Sequence, residues 1–188
     1  MTAPAEAGWP VLTDRLSLRR VMADDADAFL AWRSQPDVVR YMYQPPWTPQ
    51  LAREKLAAWA VAPFAEPGDA LVLAIEERGR PGVLGELLLK WAPGPGQAEV
   101  GYALHPEVQG RGYALEAARA AVALAFGRFG FHRVFARIDE ENTASVRVCE
   151  RLGMRLEARL VENDQRDGVW ATEVVYAMLA REHGILAP

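Results

Sequence analysis

The sequence predicts a single α/β domain: one mixed β-sheet with helices on its faces. Two observations carry that prediction. Residues 97–127 run as strand, glycine turn and helix: Val100, Tyr102 and Leu104 recur at period two, His105-Pro106 ends the extended run, and from Ala114 onward apolar residues recur on a helical period. A further strand, Val134 to Ile138, follows that helix, and a strand, helix and strand in succession imply a parallel crossover, whereas the flanking segments read as antiparallel hairpins. A chain of 188 residues suits one such domain; order is expected over residues 12–182, with a loose tail at 1–11 and a short one at 183–188.

In chain order, Leu12 to Val21 alternates leucines with polar residues, as a half-buried strand does. Asp24-Asp25 starts a helix carrying Ala28, Phe29 and Trp32, and Gln35-Pro36 ends that helix or its first segment. Val38 to Pro49 is rich in aromatics and proline, with Tyr41, Tyr43 and Trp47; such a loop either packs as a clasp over the core or walls a binding site. Thr48-Pro49 caps and opens a helix through Trp59. Ala70 to Glu77 and Val83 to Trp91 are strands joined by a turn at residues 79–82, and Pro93 to Gly96 makes the next reversal. After the central helix, Gly127 and Gly130 provide exits. Asn142 opens a short helix with Val146, Cys149 and Leu152 on one face, stopped at Gly153; Leu156 to Asp164 and Trp170 to Leu179 form a hairpin around Asp167-Gly168.

Composition removes several function classes. Apolar residues make up 51% and charged ones 24%, so the chain is globular, and a net charge of −4 with 21 dispersed basic residues lacks the footprint of a nucleic-acid binder. One cysteine excludes an internal disulfide. The most apolar stretch, Ala117 to Phe131, is interrupted by Arg119 and Arg128, and Met1 to Pro10 has no basic-then-apolar leader, so a cytoplasmic protein without membrane association is expected. His105, His132 and His183 have no second ligand at suitable spacing, so no metal is expected, and no Gly-x-Ser-x-Gly elbow of a hydrolase occurs.

The turn Gln109-Gly110-Arg111-Gly112-Tyr113-Ala114 is the strongest functional feature. Small residues at 110, 112 and 114 let successive N–H groups approach a bound group, and the following helix adds unpaired donors and a positive dipole end, which suits phosphate. A plain strand-to-helix connection also favours glycine. A Walker A loop would end in Gly-Lys-Ser/Thr, and a Rossmann loop would have a third small residue where Leu115 stands.

Gln109, Gly112 and Ala114, spaced as Gln-x-x-Gly-x-Ala after a strand, closely resemble the pyrophosphate-binding pattern of the GCN5-related N-acetyltransferases, which bind acetyl-coenzyme A. Asn142 to Met154 looks like that family's Asn-x-x-Ser helix ending in Leu-Gly-Phe. With Arg15 to Arg19 and Asp167 to Trp170, the likeness spans about residues 12–180 and is nearest to the branch that acetylates the N-termini of ribosomal proteins (RimJ/RimL-like). It implies an acyltransferase fold whose sheet splays at its centre, acetyl-coenzyme A as acetyl donor with no metal, and an amine acceptor, most naturally a protein N-terminus. A small-molecule amine or aminoglycoside is the alternative acceptor, and a non-catalytic acyl-coenzyme A sensor the alternative of another class. Monomer and homodimer are both compatible.

Specific roles follow from the resemblance. Tyr102, Ala103 and Leu104 present main-chain groups to the pantetheine, Gln109 to Ala114 hold the pyrophosphate, and Asn142 and Ser145 face the cofactor, with Ser145 the first choice as donor to the sulfur. Asn142 is also a ready helix cap. Glu99 is the leading carboxylate to take the ammonium proton, against an ordinary solvated glutamate. Many family members carry a tyrosine general acid seven residues after the asparagine; this chain has Cys149, either a proton donor or a packed core residue. Tyr41, Tyr43, Trp47 and Trp170 are the expected acceptor wall, and Glu162, Asp164 and Asp167 at the hairpin tip would attract a basic peptide or merely be solvated.

Overall fold

The computed structural model describes residues 8–166 and 168–186. Its core is an eight-stranded sheet in the order β1-β2-β3-β4-β5-β6-β8-β7, from β1 (Val11–Leu12), β2 (Leu16–Arg20), β3 (Ala70–Glu77), β4 (Val83–Trp91), β5 (Gln97–Leu104), β6 (Arg133–Asp139), β7 (Arg155–Arg166) and β8 (Val169–Leu179). Every neighbouring pair is antiparallel except β5 and β6, joined by the expected crossover through helix α4 (Tyr113–Ala123).

Strand alternation divides the core in two. Leu71, Leu73, Ile75, Leu87, Val100 and Val134 point to one face, where they pack with α4 and with α5 (Thr143–Arg151). Val72, Ala74 and Leu88 point to the other, covered by α1 (Ala26–Arg33) and α3 (Pro49–Val61). Thr48 caps α3 as expected, its hydroxyl accepting the Leu51 N–H at 3.2 Å.

The sheet splays at its one parallel junction. Only Gln97, Ala98 and Glu99 of β5 lie opposite β6, at Arg133, Val134 and Phe135. Beyond them Val100 to Leu104 keep only β4 as a partner, and Ala136 to Asp139 keep only β8. Strand main-chain groups seldom stay unpaired, so a wedge left open between two strands calls for something else to meet them.

Four boundaries differ from the sequence reading. The strand expected over residues 12–21 is a hairpin, because the Thr13 hydroxyl accepts the Leu16 N–H at 2.9 Å and Glu116 of α4 grips the turn through the Thr13 hydroxyl (2.6 Å) and the Arg15 N–H (2.8 Å). A short helix α2 (Pro36–Val39) and a 3-10 turn (Arg40–Met42) occupy the start of the aromatic loop. Of the expected N-terminal tail, residues 1–7 lie outside the described ones, but Trp9 packs on the core under the Arg128 guanidinium, 4.8 Å from its ring centre. Helix α6 (Ala180–Leu186) runs into the stretch expected as a C-terminal tail. Asp167, at the expected hairpin turn, lies outside the described residues.

Candidate active site

The glycine turn delivers α4 with its first N–H groups bare. Gly112 is the N-cap residue in a left-handed conformation (φ 82°), and with no side chain it supplies no capping bond; Gly110 is also left-handed (φ 74°). The acidic residue of the first helical turn, Glu116, is bound to Thr13 and Arg15. Arg15 in turn donates to the Arg111 carbonyl at 2.9 Å and stacks 4.7 Å from the centre of the Tyr113 ring. Arg111 bonds the Glu107 carbonyl at 2.9 Å, and the buried Tyr113 hydroxyl donates to Glu77 at 2.7 Å. The Tyr113 side chain is thus an anchor, and only its main chain faces the turn. Uncapped donors on a rigid, glycine-lined turn fit a pyrophosphate.

From this turn the open edge of β5 leads back toward the splay. The His105 N–H donates to Leu84 O at 2.8 Å, so ladder alternation leaves Ala103 and Gly101 bonded toward β4 and turns the main-chain groups of Leu104 and Tyr102 into the wedge. Gln109 Nε2 takes the Leu104 carbonyl at 3.0 Å, which explains a glutamine at the head of the turn. Tyr102 has no strand opposite it on that side, and its main chain is available to an extended amide chain. Ala103 is buried with its side chain on the α1 and α3 face.

On the α4 and α5 face, Asn142 caps α5, its Oδ1 accepting the Ser145 N–H at 3.2 Å. Ser145 lies half-buried in the first helical turn, and its carbonyl is the acceptor, at 3.4 Å, of the Tyr102 hydroxyl reaching across from β5. Cys149 is 0% exposed, and burial followed by the nearby Glu150 charge pushes its thiol up to about 12. The proton-donor role weighed for Cys149 is therefore corrected: the thiol is a core group with no surface to offer a ligand.

The opposite face is acidic. Glu99 stands there at the crotch of the wedge, at the last paired position, and its charge acts on Arg137 two residues along β6. Arg137 is ion-paired to Glu173, which also accepts from Asn163. Asp139, at the tip of β6, is 3% exposed and accepts the Glu141 N–H at 2.9 Å and the Tyr43 hydroxyl at 3.0 Å. Tyr43 has a left-handed backbone (φ 52°), and burial first, then Asp139, raises its hydroxyl pKa. Asp164 also acts on both Tyr43 and Arg137. Gly101 contributes no side chain between Glu99 and Ala103.

The aromatic wall is thus only partly assembled. Tyr43 borders the wedge. Tyr41 is half-buried beneath Arg40, 5.1 Å from its ring centre. Trp47 is not a wall residue: it is 4% exposed, packed 5.6 Å from the Trp59 ring and beneath Arg33, because the loop folds down onto α1 and α3. Trp170 is 57% exposed on the hairpin, and alternation from Val174 and Tyr176 puts it on the opposite face from Tyr43. Sequence reasoning missed Asp139, Glu173, Arg137 and Arg15. A lone Glu173 inside the apolar run of the last strand is the readable signal; Arg15 lies in a stretch that carries the family likeness, but its place at the turn is not local information, since its partners lie 101 and 96 positions away.

The structure thus brings a glycine-capped helix start, an open strand edge and a carboxylate to one wedge. The acetyltransferase (GNAT) domain family matches residues 15–155, and the chain belongs to that family. It is similar to the uncharacterized N-acetyltransferase p20 of Bacillus licheniformis, 26% identical over 91% of this chain and 96% of the relative. The crystal structure of a GNAT-family acetyltransferase from Bacillus anthracis superposes with a TM-score of 0.81 at 26% identity, covering 92% of this chain and 99% of the other. Two further structures share the fold: spermidine N-acetyltransferase from Vibrio cholerae with coenzyme A and spermine (TM-score 0.78, 19% identity, 91% and 99% covered), and RimL, a ribosomal alpha-N-protein acetyltransferase, with coenzyme A (0.77, 18%, 90% and 97%). The chain is an acetyl-coenzyme A-dependent N-acetyltransferase. Among the described residues no helix is long and apolar enough to cross a membrane, and no group of three or more His, Cys, Asp or Glu could hold a metal ion.

Proposed function

We propose that this enzyme transfers an acetyl group directly to a primary amine, preferentially the α-amine of a protein N-terminus such as that of a ribosomal protein, in the cytoplasm. The observation that carries the reading is the charge of the acceptor face: Glu99, Asp164 and Glu173 act on Arg137 there, and Asp139, Asp164 and Glu173 act on Tyr43. Carboxylates gathered in this way favour a protonated amine and a basic peptide behind it.

Bound acetyl-coenzyme A supplies an activated thioester carbonyl. The α4 N-terminus and the Gln109 to Ala114 turn hold its pyrophosphate, and the Tyr102 and Leu104 edge of β5 holds the pantetheine, with Asn142 setting the start of α5 alongside. An N–H of that edge polarises the carbonyl oxygen. Glu99, directly or through water, takes the ammonium proton so that the neutral amine can attack. An α-amine, with a pKa near ~8, asks less of that base than a lysine near ~10.4.

A polyamine is the second reading, since the same acidic face and the fold shared with a spermidine N-acetyltransferase suit it. Thiol release with an acceptor panel decides. Peptides with a free α-amine and nearby basic residues are expected to outperform spermidine, free lysine and an aminoglycoside, and N-terminally blocked peptides to be inert. Equal rates on blocked and free peptides, or activity confined to small amines, would overturn the N-terminal assignment; release with none of them, alongside tight acetyl-coenzyme A binding, would leave a sensor.

A further inference from the structure

The wedge has two unlike sides, with the carboxylates on one face of the sheet and the start of α5 on the other. Glu99, Gly101 and Ala103 point to the acidic face; Val100, Tyr102 and Leu104 alternate to the α4 and α5 face. An amine arriving past Tyr43 and Glu99 therefore meets the thioester from one side, and the sulfur departs along the edge of β5 toward the other. Among the described residues, the polar side chains on that second side include Asn142, spent on capping α5, and Tyr176 of β8, whose hydroxyl donates to Glu150 at 3.5 Å. Cys149 is sealed in the core. Ser145 sits at the start of α5, and the Tyr102 hydroxyl extends from the β5 edge to that same helical turn.

We propose that the Tyr102 hydroxyl donates the hydrogen bond that stabilises the departing sulfur, a role distinct from its main chain's contact with the pantetheine. Its present acceptor, the Ser145 carbonyl, is 3.4 Å away, near the limit for an O–H donor, so the proton is available to a better acceptor entering the wedge. A thiolate is such an acceptor, and hydrogen bonds to a charged partner are about twice as strong as neutral ones. A phenol is also a better donor than the aliphatic hydroxyl of Ser145. Burial, and then the neighbouring Cys149, hold the phenol protonated well above its ordinary range, so it donates without ionising.

The step balances. The amine lone pair forms the C–N bond, the C–S bond breaks with its electrons on sulfur, and Tyr102 keeps its proton while bridging to that sulfur. Glu99 passes the ammonium proton to solvent before the attack and takes the second proton that the nitrogen sheds as the amide forms; the thiolate gains a proton from solvent as coenzyme A leaves, so a protonated amine releases one net proton per turnover. Tyr102 thereby fills the function that Cys149, at the position of the family's tyrosine, is too deeply buried to perform.

The proposal rests on the N-acetyltransferase reading for its kinetics but not for its binding test. At pH ~10, well above the ~8.5 of a cysteine thiol and near the pKa of a simple alkyl thiol, calorimetry should show coenzyme A binding about tenfold to a hundredfold more tightly than its desulfo analogue. Tyr102→Phe should erase that preference, leave acetyl-coenzyme A affinity within about twofold, and lower kcat tenfold or more at unchanged acceptor KM. Ser145→Ala should retain the preference. The variant loses one weak hydrogen bond and should melt within a few degrees of the wild type. A Tyr102→Phe enzyme that keeps both the sulfur preference and kcat, or a Ser145→Ala enzyme that loses them instead, overturns the assignment. A wild type that shows the preference but turns over no amine would sink the functional reading and leave the sulfur contact standing.

Discussion

On the α4 and α5 face, the site is made by backbone: a left-handed glycine, bare N–H groups and an open strand edge, all within the fifteen or so residues after Val100. On the acidic face it is made by side chains that meet across the whole chain, as when Tyr43 reaches Asp139, 96 positions away. A donor site set by main-chain geometry tolerates few substitutions and binds one chemistry. An acceptor site set by converging side chains can be retuned residue by residue, which fits two fold relatives that act on a ribosomal protein and on spermidine.

The backbone-built side should therefore give the largest single effect. At Gly112 a side chain is strained by φ 82°, and its Cβ would sit 3.4 Å from Nη2 of the Arg15 guanidinium, which holds the turn through Nη1. Gly112→Val should remove the rise in melting temperature that acetyl-coenzyme A confers by binding the folded state, and lower kcat/KM more than about hundredfold, with circular dichroism unchanged. A full thermal shift in that variant would detach the phosphate site from this turn.

The same contrast explains what could be read in advance. Strands β3 and β4 were read to the residue, because apolar runs between proline and glycine turns are local signals, and the Gln109 to Ala114 turn carries its chemistry in consecutive residues. The break between β1 and β2 was hidden, since it depends on Glu116 of a distant helix. Trp47 misled for a related reason: an aromatic in a proline-rich loop fits core and wall alike, and only the packing of Trp59 and Arg33 settles which.

Smaller effects are expected on the acidic face. Glu99→Gln should lower kcat/KM for a peptide acceptor about tenfold to hundredfold at pH 7, and the deficit should shrink toward pH 9 as the α-amine, with a pKa near ~8, loses its proton unaided. A deficit independent of pH would make Glu99 a binding group only. Asp139→Asn and Tyr43→Phe remove partners from one hydrogen bond; each should raise acceptor KM severalfold and leave acetyl-coenzyme A affinity unchanged. Their double variant should cost little more than either alone, because the two residues act as a unit.

The smallest functional effect, and the one that separates core from catalysis, belongs to Cys149. It is fully buried between α5, which carries it, and the sheet, so Cys149→Ala should cost roughly 1 kcal/mol near neutral pH through lost packing while turnover stays near that of the wild type. The sign of its pH dependence supplies a second check. Burial raises the folded thiol from an ordinary 9 to about 12, so unfolding releases a proton more readily than the folded chain does, and the stability that the neutral thiol contributes is complete below pH 9 and lost as pH rises toward 12. In urea titrations the advantage of wild type over Cys149→Ala should accordingly narrow by about 1 kcal/mol between pH 8 and pH 10. A constant gap would mean that the thiol already ionises in the folded protein, and a folded but inactive alanine variant would return Cys149 to the chemistry of the wedge.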